Sequence, residues 1–444
     1  MLKNTQLFSF LFIVILIVSL SSCKNEYDNL FQTTIVNVQL NYPEDFETVE
    51  NVIVTLTNTS NNTTFIDSTN SNGTVTFDVP LGLYQASVSE TRQVSLNSYI
   101  FTGSTNISVS ESYENSAVTT IDLSVSKSAS ILIKELYIGG CQKDDGSGTF
   151  RQGQYMILYN NSVSSVSLDN LCFGMVYPYN SNSTNYFYED GAPSYETENW
   201  IPAAQGIWYF PDGVNLASGE QIVVAFNSAI DNTITYSQSI NFANSEFYTT
   251  YDIDVYSNEL YYPVPSSSIP TSHYLSAVKF GSASAWSLSV SSPAFFLFSP
   301  QGETPAEFAN DVNNLGYYNG SANQGYTKVP NDWVIDAAEV YRQGDDNLKR
   351  LPAAIDAGYI VHTNSQGYAL YRNVNKEATL AIPGNEGKII ENYSGGTTDI
   401  ADGSTDPSGI DAEASIANGA RIIYSDTNSS TNDFHQRRKA SLRH

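Results

Sequence analysis

Cysteine, histidine and positive charge are scarce in this chain. Its 444 residues hold three Cys, four His and only 20 Lys plus Arg, against 46 Asp plus Glu. The net charge of -26 removes the positive surface that phosphate contacts require, which excludes nucleic acid as a partner. It suits a solvated, extracytoplasmic protein. The histidines, His273, His362, His435 and His444, never pair at metal-ligand spacing, and there is no CxxC or HExxH, so no metal or cofactor site is expected. GxSxG is absent too, and no local motif sets an oriented base beside a Ser or Cys nucleophile. A glycosidase would need only two facing carboxylates, which no local pattern locates. Charged residues make up 15%, and helix formers give way to Asn, Ser, Thr and Tyr, which favour strands and turns.

Long apolar runs are also lacking, with one exception. Leu7 to Val18 is interrupted only by Ser9, follows Lys3, and ends in "LSSC", Leu20 to Cys23. It is shorter than the roughly 20 residues of a spanning helix and fits the apolar region of a signal peptide. "LSSC" resembles a bacterial lipobox, which implies cleavage before Cys23 and lipidation of Cys23. Acyl chains contribute about 0.8 kcal/mol per buried CH2, so membrane lipid becomes a partner without a spanning helix. Lys24, Glu26 and Asp28 resemble the surface-export tag of Bacteroidota lipoproteins, with Asn25 and Tyr27 interposed. "CQKDDG", residues 141–146, resembles that tag more closely, but mid-chain it reads as a loop. The expected divisions are a signal peptide at 1–22, a tether at 23–32, a first domain at 33–126 and a larger body at 127–444.

From Thr33 the pattern alternates. "TTIVNVQLNY" reads as strand, with Ile35 set against Val36 and Val38. Val52, Val54 and Leu56 share one face, as do Val75, Phe77 and Val79, and then Tyr84, Ala86 and Val88. Asn72-Gly73 is a strong turn signal, and Pro80 with Gly82 marks the next turn. "NGTVTFDVPLGLYQASV" is similar to the carboxypeptidase-regulatory-like sandwich, a spacer fold without catalytic residues. Beyond residue 126, "SILIKELYIGGC" places Ile131, Ile133 and Leu136 in a buried strand. With "GQYMILYNNS" and "VSLDNLCFGMVY" it resembles a lamin-tail-type sandwich, although Ile157 stands where that family usually has Glu. "PAFFLFSP", "VPNDWVIDAAEVY", "KRLPAAIDAGYI" and "ARIIYSDTNSSTNDF" recur in this order in a family of uncharacterised Bacteroidota lipoproteins that joins the two modules. The expected fold is all-β: an Ig-like sandwich, then a lamin-tail-like β body whose long loops, 177–199, 231–272 and 394–413, decorate one end.

Candidate sites follow from residue type. Cys141 and Cys172 leave two readings, a disulfide permitted by an oxidising compartment or two buried thiols. Asp399, Asp402, Asp406 and Asp411 could surround calcium, but their spacing is not that of an EF-hand, and a solvated acidic loop is favoured. Asp144 and Asp145 read the same way. Asp426, Asn428, Asn432 and Asp433 fit tight backbone turns better than a ligand loop. "DST" at 67–69 resembles the O-glycosylation acceptor of Bacteroidota envelope proteins. The 30 tyrosines cluster in loops: Tyr186 and Tyr188, then Tyr248 and Tyr251, then Tyr261 and Tyr262. Tyr favours interfaces because its ring is large and has few rotamers. The expected function is non-enzymatic: an outer-membrane, surface-exposed lipoprotein that captures a glycan or other extracellular ligand or docks on a receptor barrel. A structural or adhesion role is the first rival, and a polysaccharide hydrolase the second.

Overall fold

The computed structural model describes residues 33–94, 96–392 and 405–443. Cys23, the leader, the tether, Asp399 and Asp402 lie outside the described residues. Strand accounts for 39% and helix for 10%, so the class is all-β. The chain divides into two compact units, Met1–Arg92 with Tyr99–Lys127, and Gln93–Ser98 with Ser128–His444. No described helix is long and apolar enough to cross a membrane.

The first unit is a two-sheet sandwich. One sheet has the order β4 (Thr74–Pro80), β1 (Thr33–Asn41), β7 (Val118–Asp122). The other has the order β3 (Thr64–Ser68), β2 (Ile53–Asn58), β5 (Gly82–Val94), β6 (Asn97–Val109), β8 (Ser124–Ala129). Alternation puts Val36, Val38 and Leu40 of β1 inside, against Val54 and Leu56, Phe77 and Val79, and Ala86 and Phe101. The turn before β4 needs its glycine. Gly73 sits at φ +73°, and a Cβ there would come within 2.5 Å of Thr48 Cγ2. The Pro-Leu-Gly turn is closed by Tyr84, whose buried hydroxyl donates to the Pro80 carbonyl at 2.8 Å.

The second unit holds a 12-stranded sheet. Its strands in chain order are β9 (Ile131–Tyr137), β10 (Tyr155–Asn160), β11 (Cys172–Met175), β12 (Gly206–Tyr209), β13 (Gln221–Ala225), β14 (Tyr248–Thr250), β15 (Tyr274–Lys279), β16 (Ala294–Phe298), β17 (Val334–Arg342), β18 (Ile360–His362), β19 (Ala369–Arg372) and β20 (Phe434–Arg437). Their spatial order is β18-β17-β16-β11-β12-β15-β14-β13-β10-β9-β19-β20. The end strands β18 and β20 touch. Gln436 on β20 ties them: its amide oxygen accepts from the Thr363 N–H at 2.5 Å, and its amide nitrogen donates to Thr363 Oγ1 at 3.3 Å. The sheet thus curls until its ends meet around one interior that includes Ile133, Leu158, Phe173, Trp208, Phe295 and Leu370.

Every residue of β9, β10 and β16 is buried, so "YMILYN" and "AFFLF" read as apolar runs rather than alternations. The long segments cover the outer faces. Ile240, Phe242 and Ile269 pack over β10 and β13. Tyr195 packs over β11 and β16, and Ile410, Ile422 and Tyr424 pack against Leu132 and Tyr159. The expectation that the insertions decorate one end is therefore corrected: their apolar residues roof the sheet because its strands are hydrophobic on both sides.

β9 also carries a bulge. Ile157 pairs with Glu135 and Leu158 with Ile133, so Lys134 is an extra residue. The bulge keeps Ile133 and Leu136 in the interior while Lys134 and Glu135 both avoid it. Lys134, fully buried, donates to Gln221 Oε1 at 2.6 Å and pairs with Glu413 at 2.6 Å. Glu135 accepts from Tyr155 Oη at 2.8 Å and from the Ser441 N–H at 2.9 Å, and its burial raises its pKa.

Candidate functional site

The second unit holds an open groove of about 550 Å³. A tight turn forms one side. The strand Asn215–Leu216 turns through Gly219, at φ +78°, into β13, bringing Glu220 and Gln221 to the groove. Tyr248 at the start of β14 and His273 in the turn before β15 form a second side, and Ile416, on the short helix Ala412–Ala417, a third. Val214, Leu216 and Ile222 supply apolar surface, and Glu246 adds a second carboxylate.

The Tyr248 and His273 rings stack in parallel, with centroids 4.0 Å apart and planes inclined by 9°. Phe210 lies against Tyr248 at 5.8 Å. His273 Nδ1 is 3.1 Å from the Phe247 carbonyl. A carbonyl only accepts, so Nδ1 carries the hydrogen there and Nε2 is left for another partner. Burial raises the pKa of the Tyr248 hydroxyl, with Glu246 adding to it, so it stays protonated at neutral pH. The wall helix is held from behind by the Lys134–Glu413 pair, and Tyr371 Oη donates to the same carboxylate at 2.6 Å. Gln221, on the opposite side, shares Lys134.

Of the six loop tyrosines singled out from sequence, only Tyr248 reaches this groove. Tyr186 is 56% exposed and packs edge-on against Tyr318. Tyr188 is half-buried in the two-residue strand Tyr188–Glu189. Tyr251 is half-buried against Tyr274, and Tyr261 against Tyr262. Tyr262 is corrected as a ligand contact. It is 2% exposed, and its hydroxyl donates to the Trp286 carbonyl at 3.1 Å and accepts from the Trp286 N–H at 3.2 Å. Sequence reasoning passed over Glu220, His273 and Ile416, which lie far apart in the chain and match no motif.

The Asp/Asn block builds structure. Asp426 accepts from the Ala129 N–H at 2.7 Å, and Asp433 from the Thr427 and Ser429 N–H groups at 2.9 and 3.2 Å. Asn428 sits at φ +52°, with its carbonyl accepting from Ala357 N–H at 2.7 Å. The Asn432 carbonyl accepts from Asn373 Nδ2 at 2.6 Å. Both aspartates approach the buried Arg372, at 3.9 and 4.0 Å. Arg372 also pairs with Asp336 at 2.5 Å and donates to the Ile133 carbonyl at 2.8 Å, while Asp336 accepts from the Ile133 N–H at 2.6 Å. The two side chains thus satisfy Ile133 where β19 has ended its pairing with β9, which reaches only Glu135 and Leu136. "KRLP" is equally structural: Arg350 and Glu339, both fully buried, pair at 2.6 Å, and Arg350 also donates to the Pro178 carbonyl at 2.8 Å.

Cys141 and Cys172 are free and fully buried, which corrects the disulfide reading. Cys141 belongs to a two-residue strand paired with Thr149–Phe150, whereas Cys172 is paired on both sides within the main sheet. Asp406 is buried and accepts from the Ser408 N–H at 2.9 Å, and Asp411 caps the wall helix at Ala414. Asp144 holds Ser237, and Asp145 the Ser147 N–H. Among the described residues no three His, Cys, Asp or Glu side chains gather to hold a metal. In "DST", Ser68 is exposed, while the buried Thr69 hydroxyl accepts from the Val52 N–H at 3.1 Å.

Residues 217–391 match a family described as a protein of unknown function, DUF4876. That segment includes Glu220, Glu246, Tyr248 and His273, but not Val214, Leu216 or Ile416. The fold is similar to the crystal structure of a DUF4876 family protein from Bacteroides thetaiotaomicron. The TM-score is 0.55 and the identity 22%, covering 90% of this chain and 94% of that one. At this identity the likeness concerns the fold alone. No curated protein matches the chain.

Proposed function

We propose that this is a lipid-anchored binding protein of the cell envelope, exposed at the surface, whose second unit captures an extracellular ligand in the groove beside Tyr248 and His273 and hands it to an outer-membrane receptor barrel. The groove is the observation that carries this reading. It joins apolar surface to a few fixed polar groups, the usual make-up of a small-molecule site, and its walls stand on strands and a capped helix. The apolar run ending at Cys23 and the acidic composition support the envelope setting.

An affinity pull-down from native envelopes tests the reading, with wild-type and Tyr248→Ala proteins run side by side. The wild type is expected to recover a barrel and its cargo, and the variant to lose the cargo. Recovery of no partner and no cargo by the wild type would overturn it and favour the structural role. Replacement of Cys23 by Ser is expected to move the protein from the membrane fraction to the soluble fraction.

A further inference from the structure

We infer that the groove accepts a protonated amine carried on an apolar stem, the chemistry shared by an amino sugar and a lysine side chain. This rests on the reading of the groove as a ligand site and adds the charge of the ligand. No Lys or Arg lines the groove, whereas two glutamates do. Glu220 spends one oxygen on the Ala217 N–H, at 2.8 Å, and Glu246 one on Ser245 Oγ, at 3.3 Å. The other oxygen of each has no protein partner among the described residues. The Tyr248 hydroxyl, likewise without a protein partner there, offers a neutral acceptor, and its stack with His273 holds the ring in place. An ammonium has three donors and no acceptor, which matches a groove rich in acceptors. An anion would meet two carboxylates and no countercharge.

The cations behind the walls are already engaged. Lys134 is committed to Glu413 and Gln221. Arg421 passes its aliphatic stem under Gly219 and donates to the Asn161 and Ser162 carbonyls at 3.2 and 2.7 Å. Neither lines the groove. Val214, Leu216, Ile222 and Ile416 give the stem an apolar bed, as long charged side chains require when only the head stays polar.

Titration calorimetry on the full mature chain, at low ionic strength, decides the matter. The probes are a glucosamine tetramer, its N-acetylated counterpart, a tetralysine peptide and its fully acetylated form. At least one amine probe is expected to bind saturably, and its acetylated partner at least about tenfold more weakly, a difference of about 1.4 kcal/mol. Replacing both carboxylates, Glu220→Gln with Glu246→Gln, is expected to abolish that preference. Both side chains are exposed, so an unchanged melting curve verifies the fold. Binding of the glucosamine tetramer alone identifies a sugar source, and of tetralysine alone a peptide source. Equal binding of amine and acetylated forms, lost in Tyr248→Ala, would overturn the charge assignment while leaving the groove as a site. Failure of both amine probes to bind would overturn the assignment, and the envelope pull-down with Tyr248→Ala then judges the groove separately.

Discussion

At the scale of the residue, Arg372 concentrates the most consequence. Three carboxylates surround one guanidinium that is itself fully buried. Burial pushes the pKa of Asp336 up to about 6, against the pull of Arg372 and with a further push from Asp426. Breaking a buried pair by removing one partner costs far more than the pair contributes net, because it strands the other charge. Arg372→Met is therefore expected to destabilise the second unit by about 3–5 kcal/mol in urea titration. A lysine there is expected to restore little, since one ammonium cannot reproduce the guanidinium fork. Histidine supplies the pH dependence. Burial lowers His362 to about 4 and His435 to about 3. The unfolded imidazoles take protons near pH 6.5 and the folded ones only below 4, so their contribution is lost as pH falls through that window. Asp336 acts oppositely: its folded carboxyl holds a proton up to about pH 6, so its contribution is lost as pH rises from about 4 to 6. The histidine contribution is thus a fall in stability on acidification from pH 6.5 to 4, opposed by Asp336 and by Glu135, Asp356 and Asp406, whose carboxyl pKa values burial also raises. His362→Asn should shallow that fall by about 3 kcal/mol across the window, as read from melts in a pH series.

At the scale of the element, the bulge in β9 and the corner at Tyr84 make contrasting tests. Deleting Lys134 removes the extra residue and leaves Ile133, Glu135 and Leu136 in ordinary alternation, with Ile133 and Leu136 inward and Glu135 outward. The deletion loses the bonds of Lys134 to Gln221 and Glu413 but keeps the register, so the second unit is expected to stay protease-resistant and to melt at a lower temperature. Lys134→Met likewise keeps the register and loses the pair with the part-exposed Glu413 together with the bond to Gln221, at an expected cost of about 2–3 kcal/mol. Tyr84→Phe removes one bond to the Pro80 carbonyl and should cost about 1 kcal/mol in the first unit. What was legible in the sequence follows from burial. The strands of the first unit keep one face outward, so Val75, Phe77 and Val79 announced themselves by alternation. β10 and β16 are covered on both faces, so their composition gave strand but not facing. The bulge was hidden because "ILIKELY" puts two charged residues together inside a strand buried throughout. The groove was hidden because its walls come from positions 214 to 222, 246 to 248, 273 and 416. Tyr248 stood out by clustering, while Glu220 and His273 carried no pattern at all.

At the scale of the whole molecule, the two units have separate cores, one built from Val36, Leu56 and Phe101 and the other from Phe173, Trp208 and Leu370. Scanning calorimetry is expected to resolve two transitions, with Tyr84→Phe lowering one and Arg372→Met the other. The closure of the main sheet matters beyond stability. Open strands expose unpaired amides and carbonyls that template pairing with other chains, and many recognition domains work by accepting such a strand. Here the two end strands lie side by side without a backbone ladder between them, and the Gln436 side chain occupies the Thr363 N–H that a visiting strand would otherwise meet. A receptor that engages the body through the inner strands of that sheet, paired on both sides, must read their side chains.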